Sequence, residues 1–450
     1  MLCEAVVLAA GHGTRMKSSL PKVLHPLLGR PMVQWVVEAC REATGRPVTV
    51  VVGPEAQDVR SAIKGDVRFA VQEERLGTGH ATLQTRDQLK DADQVLVVSA
   101  DMPLLRPDTL QRLIEAQSEN KGPLTVLTAH AEKPRGFGRL LRDDDGRVAR
   151  VVEAAHATPE ELAVRELNVG AYCVDADWLW GELPELELSP KGEYYITDLV
   201  EVAAESGLPV EAVEVQELDE TIGVNTRVHL AEAQAALQRR INTAWMRAGV
   251  TMQNPDTTYI APEVQLRRDV VLMANTHLEG RTTVGEGTEI GPNSRVVDSR
   301  IGRNCRVESS VVEEAVLEDD VEIGPFAHLR TGAYLEQGVH LGNYGEVKNS
   351  RLGRGVRMGH FSYIGDATVG ADVNIGAGTI TCNYDGESKH ATEIEDGAFI
   401  GSDTMLVAPV KIGKGARTGA GAVVTKDVPA GTIAVGVPAR VIRKVKAADE

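Results

Sequence analysis

Residues 394–413 read IEDGAFIGSDTMLVAPVKIG, and their spacing decides the architecture of half the chain. Ile394, Ile400, Leu406 and Ile412 recur at a constant interval of six residues. That period matches neither the 3.6 of a helix nor the 2.0 of an ordinary strand. It reads as a parallel β-helix, in which each unit is one short face of a triangular coil and its aliphatic residue points inward. The same pattern runs back to about residue 250. Aliphatic–glycine pairs stand at Val284-Gly285, Ile290-Gly291, Ile301-Gly302, Ile323-Gly324, Leu341-Gly342, Leu352-Gly353, Ile364-Gly365 and Ile375-Gly376. Glycine is expected to allow the tight corners. Three faces per turn leave a narrow interior, which accounts for an aromatic content of 4% beside 44 glycines. The repeat breaks once, at TCNYDGESKH (residues 381–390). Cys382 to His390 is polar and turn-prone, so it is expected to loop out, as functional insertions in solenoids do.

Residues 1 to about 225 follow another pattern. Apolar runs at Val6–Ala10, Val48–Val52, Val95–Ser99 and Leu124–Thr128 read as strands, with helices between them at Pro31–Glu42, Gly79–Leu89 and Pro107–Ala116. Continuous apolar strands spaced by helices imply an α/β fold with a mostly parallel sheet covered on both faces. Ligands bind at the C-terminal strand ends of such sheets. The first strand feeds GHGTRM (Gly11–Met16), which is neither of the two common phosphate loops. Residues 226–248, TRVHLAEAQAALQRRINTAWMRA, have helical periodicity and read as a linker helix. The expected division is 1–225, 226–248 and 249–450.

At 450 residues the chain is too long for one core. A net charge of −17 argues against nucleic acid as a partner. Five scattered cysteines without C-x-x-C suggest a reducing compartment and no structural zinc. A signal peptide and a stretch of membrane-spanning length are not found, so a cytoplasmic location and no membrane partner are expected.

The motifs LAAGHGTRM, PKVLH, QEERLGTGHA, ADMPLL, NVGAY and GVNTR come first. HLRTGA, GNYGEVKNS, GHFSYIGDA and NIGAGTITCNYDG follow on the coil. Their order resembles the bacterial bifunctional N-acetylglucosamine-1-phosphate uridylyltransferase and glucosamine-1-phosphate N-acetyltransferase family. The resemblance implies a Rossmann-like nucleotidyltransferase (pyrophosphorylase) domain and a left-handed β-helix acetyltransferase domain in a homotrimer. The substrates would be UTP, acetyl-CoA and the two sugar phosphates, the cofactor Mg²⁺, and the product UDP-N-acetylglucosamine, a cell-wall precursor.

Read this way, Gly11 and Gly13 clear space for backbone N–H groups to approach a triphosphate. Arg15 and Lys22 supply positive charge as pyrophosphate leaves; His12 has no evident role. The resemblance assigns nucleotide and nucleotide-sugar binding to Leu8, Ala9, Ala10, Gly11, Gly13, Lys22, Gln72, Gly77, Thr78, Ser99, Asp101, Gly138, Glu153, Asn168 and Asn225. Gln72, Gly77 and Thr78 would meet the uracil edge, and Asp101 with Asn225 would hold the metal. One carboxylate and one amide suit Mg²⁺, which keeps water and substrate ligands. Asp101 also reads as a helix N-cap before Met102-Pro103. Ala100 stands where the family commonly has glycine, and Ala154-Ala155-His156-Ala157 replaces its usual charged pair after Glu153.

Acetyl transfer needs a base for the attacking ammonium and donors for the developing oxyanion. His360 is the candidate base, with Glu346 near enough in coil order to orient it. Arg330, Lys348, Tyr363 and Asn374 would grip glucosamine-1-phosphate. Ala377, Asn383, Tyr384, Ser402, Ala420 and Arg440 would contact acetyl-CoA; Arg440 or Arg443 replaces an arginine the family often places near Val437. Two alternatives compete. A single-activity nucleotidylyltransferase with a structural or regulatory β-helix would lack the His/Arg/Lys/Asn set on the coils. A non-catalytic assembly subunit would lose Arg15, Lys22 or Asp101. The chain has all of these residues.

Overall fold

The computed structural model describes residues 1–445 except positions 12, 133 and 135, so His12 lies outside the described residues. The chain forms two compact units, Met1–Leu237 and Gln238–Glu450.

In the first unit, strands and helices alternate as β1 (Cys3–Leu8), α1 (Met32–Thr44), β2 (Val48–Val52), β3 (Val67–Val71), α2 (Thr78–Leu83), β4 (Gln94–Ser99), α3 (Pro107–Glu119) and β5 (Leu124–His130). A hairpin, β6 (Arg139–Arg142) and β7 (Val148–Val152), precedes β8 (Glu166–Asp175) and β9 (Val210–Glu214). The main path of the sheet is β9-β5-β8-β4-β1-β2-β3. β1 lies parallel between β2 and β4, with Val7 opposite Val50 and Val98. β8 departs from the parallel rule and runs antiparallel between β4 and β5. Every residue of β2 is buried, which is why these strands read as unbroken apolar runs. α2 stops at Leu83, short of the expected Leu89. There the Thr82 and Thr85 hydroxyls bond the carbonyls of Thr78 and Thr82, and a 3₁₀ turn at Arg86–Gln88 follows; such side chains compete with helical pairing.

The second unit is a left-handed parallel β-helix, its strands in three sheets of twelve, ten and nine. Each strand pairs with its equivalent one turn later, so Ile290, Val307, Ile323, Leu341 and Met358 form one inward column. None is more than 2% exposed. The buried core of this unit contains no aromatic side chain among the described residues. Gly291 and Gly324 take positive φ, 109° each, as corner glycines do, but most of the other repeat glycines act differently from the expectation. At Gly342, φ is not positive; instead a Cβ would lie 2.0 Å from the Gly359 carbonyl oxygen one turn on. The glycine permits close stacking of turns. Many of the left-handed corners are taken by Asn and Asp, among them Asn275, Asn293, Asp298, Asn304, Asp320 and Asn349, residues that tolerate this conformation. The expected loop is present between Ile380–Cys382 and Thr392–Ile394.

Residues Arg227–Arg247 form one helix, α4. Within the second unit, Asn242 donates to the carbonyls of Pro255 and Thr258, and Ile241 and Trp245 pack on the coil's core. Among the described residues no helix is long and apolar enough to cross a membrane.

Candidate active sites

At the C-terminal end of β1, Ala9 N–H still bonds the Val51 carbonyl before the chain turns into the glycine loop. Gly13 (φ 64°) faces the stem of Lys22: a Cβ there would stand 2.4 Å from the Lys22 Cβ. Lys22 leads a 3₁₀ turn, Lys22–Leu24. Its Nζ donates to Asp101 Oδ2 at 2.7 Å and to Asn225 Oδ1 at 3.2 Å, and Arg15 Nη2 donates to the same Asn225 oxygen at 2.8 Å. Asp101 follows β4; its other oxygen accepts from the Ser99 hydroxyl at 2.7 Å. Burial alone would raise the Asp101 pKa. The Lys22 ammonium and the Ser99 hydroxyl outweigh it and hold the carboxyl below its ordinary range, so it is ionised. The N-cap alternative is excluded, because the next helix begins at Pro107 with Arg106 at its cap. Asn225 reaches Asp101 through the Val224 N–H to Asp101 carbonyl bond of 2.8 Å.

A cavity of about 230 Å³ opens beside this cluster, lined by Leu8, Ala9, Ala10, Gly11, Lys22, Gln72, Gly77, Thr78, Ser99 and Asp101 together with Arg75, Glu193 and Tyr195. Gln72 is 3% exposed. Its amide nitrogen donates to the Gly77 carbonyl at 3.0 Å and contacts His80 Nδ1 at 3.1 Å. That orientation leaves the Gln72 side-chain oxygen as an acceptor. Gly77 (φ 96°) packs on Tyr194, where a Cβ would meet the Tyr194 carbonyl at 2.5 Å. The Thr78 hydroxyl accepts from Ile196 N–H.

Gly138, Glu153 and Asn168 are not among the residues that line this cavity. Asn168 N–H bonds the Gly138 carbonyl, and its side-chain amide donates to the Tyr172 hydroxyl at 2.7 Å. Burial pushes the Glu153 carboxyl up. Asp198 is pushed up to about 6 by burial and by its neighbours Glu201 and Glu153. Arg75, Glu193 and Tyr195 are absent from the sequence reading. The Tyr194-Tyr195 pair, in a chain poor in aromatics, was the available signal for the last two.

On the coil, Met358, Ile375, Ile400 and Thr418 occupy equivalent places by strand register. Two residues further along each turn come His360, Ala377, Ser402 and Ala420. The candidate base and three small residues therefore stand in one column on one corner, His360, Ser402 and Ala420 exposed and Ala377 partly so. On the adjoining sheet Glu346 pairs with Tyr363 and Lys348 with Gly365. Arg330 N–H bonds the Val347 carbonyl, which brings Arg330 alongside. In place of the expected Glu346–His360 partnership, Glu346 Oε1 accepts a charge-assisted hydrogen bond from Arg330 Nη1 at 2.8 Å. The Tyr363 hydroxyl lies over Gly365, 2.2 Å from where a Cβ would be. Asn374 is half-buried on the neighbouring face.

In the outlying loop, Asn383 is 8% exposed and its amide holds Asp366 Oδ2, whereas Tyr384 is 60% exposed. The loop also delivers Lys389, which the sequence reading did not single out. Lys389 sits close enough to Lys348 to lower the latter's pKa, with Arg330 adding to the effect. Three cations thus crowd one surface, beside the carboxylate of Asp366. Arg440 lies on a terminal strand, Arg440–Lys444, that pairs antiparallel with Thr432–Val435. Arg440 and Arg443 are both exposed.

Residues 5–173 match the family described as MobA-like NTP transferase domain, and residues 391–426 match the bacterial transferase hexapeptide family (six repeats). Fold and site together define a two-part transferase, a nucleotidyltransferase unit followed in one chain by a hexapeptide coil. The chain is 46% identical to the bifunctional protein GlmU of Heliobacterium modesticaldum over 96% of this chain and 94% of the relative. It is 47% identical to that of Carboxydothermus hydrogenoformans (96% and 97% covered) and 46% identical to that of Thermotoga petrophila (98% of each). The chain belongs to the GlmU family of bifunctional proteins.

Proposed function

We propose that this enzyme makes UDP-N-acetylglucosamine in two steps, acetylating glucosamine-1-phosphate on the coil (249–450) and then transferring a uridylyl group in the α/β domain (1–225), with 226–248 as the helix between. The observation that carries this reading is the Arg15–Lys22–Asp101–Asn225 cluster at the mouth of the first cavity. Two cations there face a carboxylate and an amide oxygen, the set that a transferring phosphoryl group and its metal require.

In the first domain, a phosphate oxygen of N-acetylglucosamine-1-phosphate attacks the α-phosphorus of UTP in line, and the bond to pyrophosphate breaks. Arg15 and Lys22 turn toward the phosphates and neutralise the leaving charge. The Gln72 oxygen accepts the N3–H of uracil; cytosine offers an acceptor there and is rejected. Gly138, Glu153 and Asn168 hold the sugar. Asp101 and Asn225 fit a divalent ion: their oxygens already share one cation, the Lys22 ammonium, and Asp101 is ionised. Mg²⁺ bound there supplies charge neutralisation to the phosphates.

In the second domain, Arg330, Lys348 and Lys389 take the sugar phosphate, with Tyr363 and Asn374 on the sugar. His360 accepts a proton from the ammonium, the amine attacks the thioester carbonyl, and coenzyme A leaves as the thiol. Ala377, Ser402 and Ala420 leave room for the coenzyme's arm along the corner, with Asn383, Tyr384 and Arg440 contributing contacts. We assign a homotrimer and a cytoplasmic location on family grounds. The test is one reaction containing glucosamine-1-phosphate, acetyl-CoA, UTP and Mg²⁺, with thiol and pyrophosphate followed separately. Both are expected. Thiol without pyrophosphate, or the reverse, would reduce the enzyme to one activity.

A further inference from the structure

Two neighbouring stretches, the loop Gly13–Lys17 and the turn Pro21–His25, meet at the nucleotide site with Ile222–Asn225, about 200 residues further along the chain. In the structure they are tied at the front by the bonds from Arg15 and Lys22 to Asn225 and from Lys22 to Asp101. Those bonds cannot persist through turnover, because the cations must turn to phosphate and the oxygens to metal. Something else must then hold the segments in register.

Behind the site, Arg227 opens α4 two residues after Asn225. Its Nε donates to the Met16 carbonyl at 3.4 Å and its Nη1 to His25 Nδ1 at 3.3 Å. His25 is 2% exposed. Its N–H bonds the Lys22 carbonyl, and its own carbonyl accepts from Met32 N–H at the start of α1. Because Nδ1 accepts from a guanidinium, the ring is neutral with its proton on Nε2; burial and the Arg227 charge both lower its pKa. These contacts involve no group that must reorient toward substrate.

Resting on the uridylyltransferase reading above, we propose that Arg227 and His25 are positioning residues. They form a brace that keeps the Arg15 loop, the Lys22 turn and Asn225 aligned after substrate draws the charged side chains apart. Uridylyl transfer depends on this alignment, since misplacement by about 1 Å costs up to about 100-fold in rate.

The test uses the full-length enzyme and four variants, Arg227→Ala, Arg227→Lys, His25→Leu and His25→Asn, with acetyl transfer measured on the same samples. Asn offers an oxygen near the position of Nδ1; Leu does not. Arg227→Ala and His25→Leu are expected to lower the uridylyl kcat by about tenfold or more, with the UTP KM changed by less than about threefold. The Mg²⁺ concentration for half-activation rises in both, His25→Asn stays within about threefold of wild type, and acetyl transfer is unchanged throughout. Wild-type kcat in Arg227→Ala overturns the brace, as does equal impairment of His25→Asn and His25→Leu. A rise in UTP KM with kcat preserved also overturns it, and so does parallel loss of acetyl transfer in Arg227→Lys, which would mark a folding role. A wild-type enzyme that releases no pyrophosphate would instead bring down the reading on which the brace rests.

Discussion

Gly342→Ala should disable acetyl transfer while leaving uridylyl transfer intact. The added Cβ would stand 2.0 Å from the Gly359 carbonyl oxygen. An ordinary carbon–oxygen contact needs about 3.3 Å, so the two turns must separate locally by about 1.3 Å. The Gly342 N–H to Met358 carbonyl bond, 2.8 Å in the native coil, then stretches toward about 4 Å and is lost. Overpacking of this kind costs about 1–3 kcal/mol and the hydrogen bond about 1 more, or about 2–4 kcal/mol in all. The strain falls on Gly359, and His360 is the next residue. A base displaced by about 1 Å loses up to about 100-fold in rate. Thiol release from acetyl-CoA and pyrophosphate release from UTP, read on one sample, separate the two effects, and amide exchange in residues 340–362 reports the local loosening. A Gly342→Ala enzyme with wild-type acetyl transfer and unchanged exchange would refute the claim that close stacking of turns is what the repeat glycines are for.

Asp101→Asn should lower uridylyl transfer by about 100-fold or more, the scale of losing a charge-stabilising group. Because the Asp101 pKa is depressed on folding, its stabilising contribution is full above the ordinary carboxylate range and lost as pH falls through the lower folded value. The wild type should therefore lose stability more steeply than the variant below about pH 4, and superimposable acid-unfolding curves would contradict this. Lys389→Ala should raise the KM for glucosamine-1-phosphate by about tenfold. It should also move the alkaline loss of binding to higher pH, since removing Lys389 relieves the repulsion that lowers the Lys348 pKa; an unmoved alkaline limb would exclude the pairing. Gln72→Leu should cut the preference for UTP over CTP by about tenfold or more, and undiminished preference would show that the Gln72 oxygen does not read the base.

The coil was legible in the sequence because its inward positions are dictated by burial alone. Ile394, Ile400, Leu406 and Ile412 repeat because only an aliphatic side chain of that size fills the triangular interior, and all four are 1% exposed or less. The corner chemistry was less legible. Glycine recurs both where φ is positive and where a neighbouring turn leaves no room, and the letter G does not distinguish the two. In the first unit, strands buried on both faces announced themselves, while α2 was overextended because Thr82 and Thr85 look helical until their hydroxyls are seen on the backbone. Candidate site residues inside short motifs, such as Arg15 and Lys22, were found at once. Arg75 and Lys389 are not marked in this way, because they reach their sites by tertiary convergence, and a single charged residue in a loop carries no sign of what it will face; Glu193 and Tyr195 have only the Tyr194-Tyr195 pair to signal them.

The column His360–Ala377–Ser402–Ala420 shows how repetition can place a site as well as a core. Each member follows an inward residue by two places, so their spacing along the coil is set by the rise between turns, about 4.8 Å. Three rises separate His360 from Ala420, a span of about 14 Å, which suits an extended flexible arm lying along the corner with its reactive end at the histidine. No loop has to be folded to achieve that alignment. It follows from the ladder of backbone hydrogen bonds that holds the turns together, and the small side chains above His360 only keep the track clear. The loop at residues 383–391 then adds what a regular ladder cannot, a lysine brought sideways onto the cations of the adjoining face. On this reading a rigid, repetitive scaffold fixes where the chemistry occurs, and one interruption of the repeat supplies the charge that recognises the substrate.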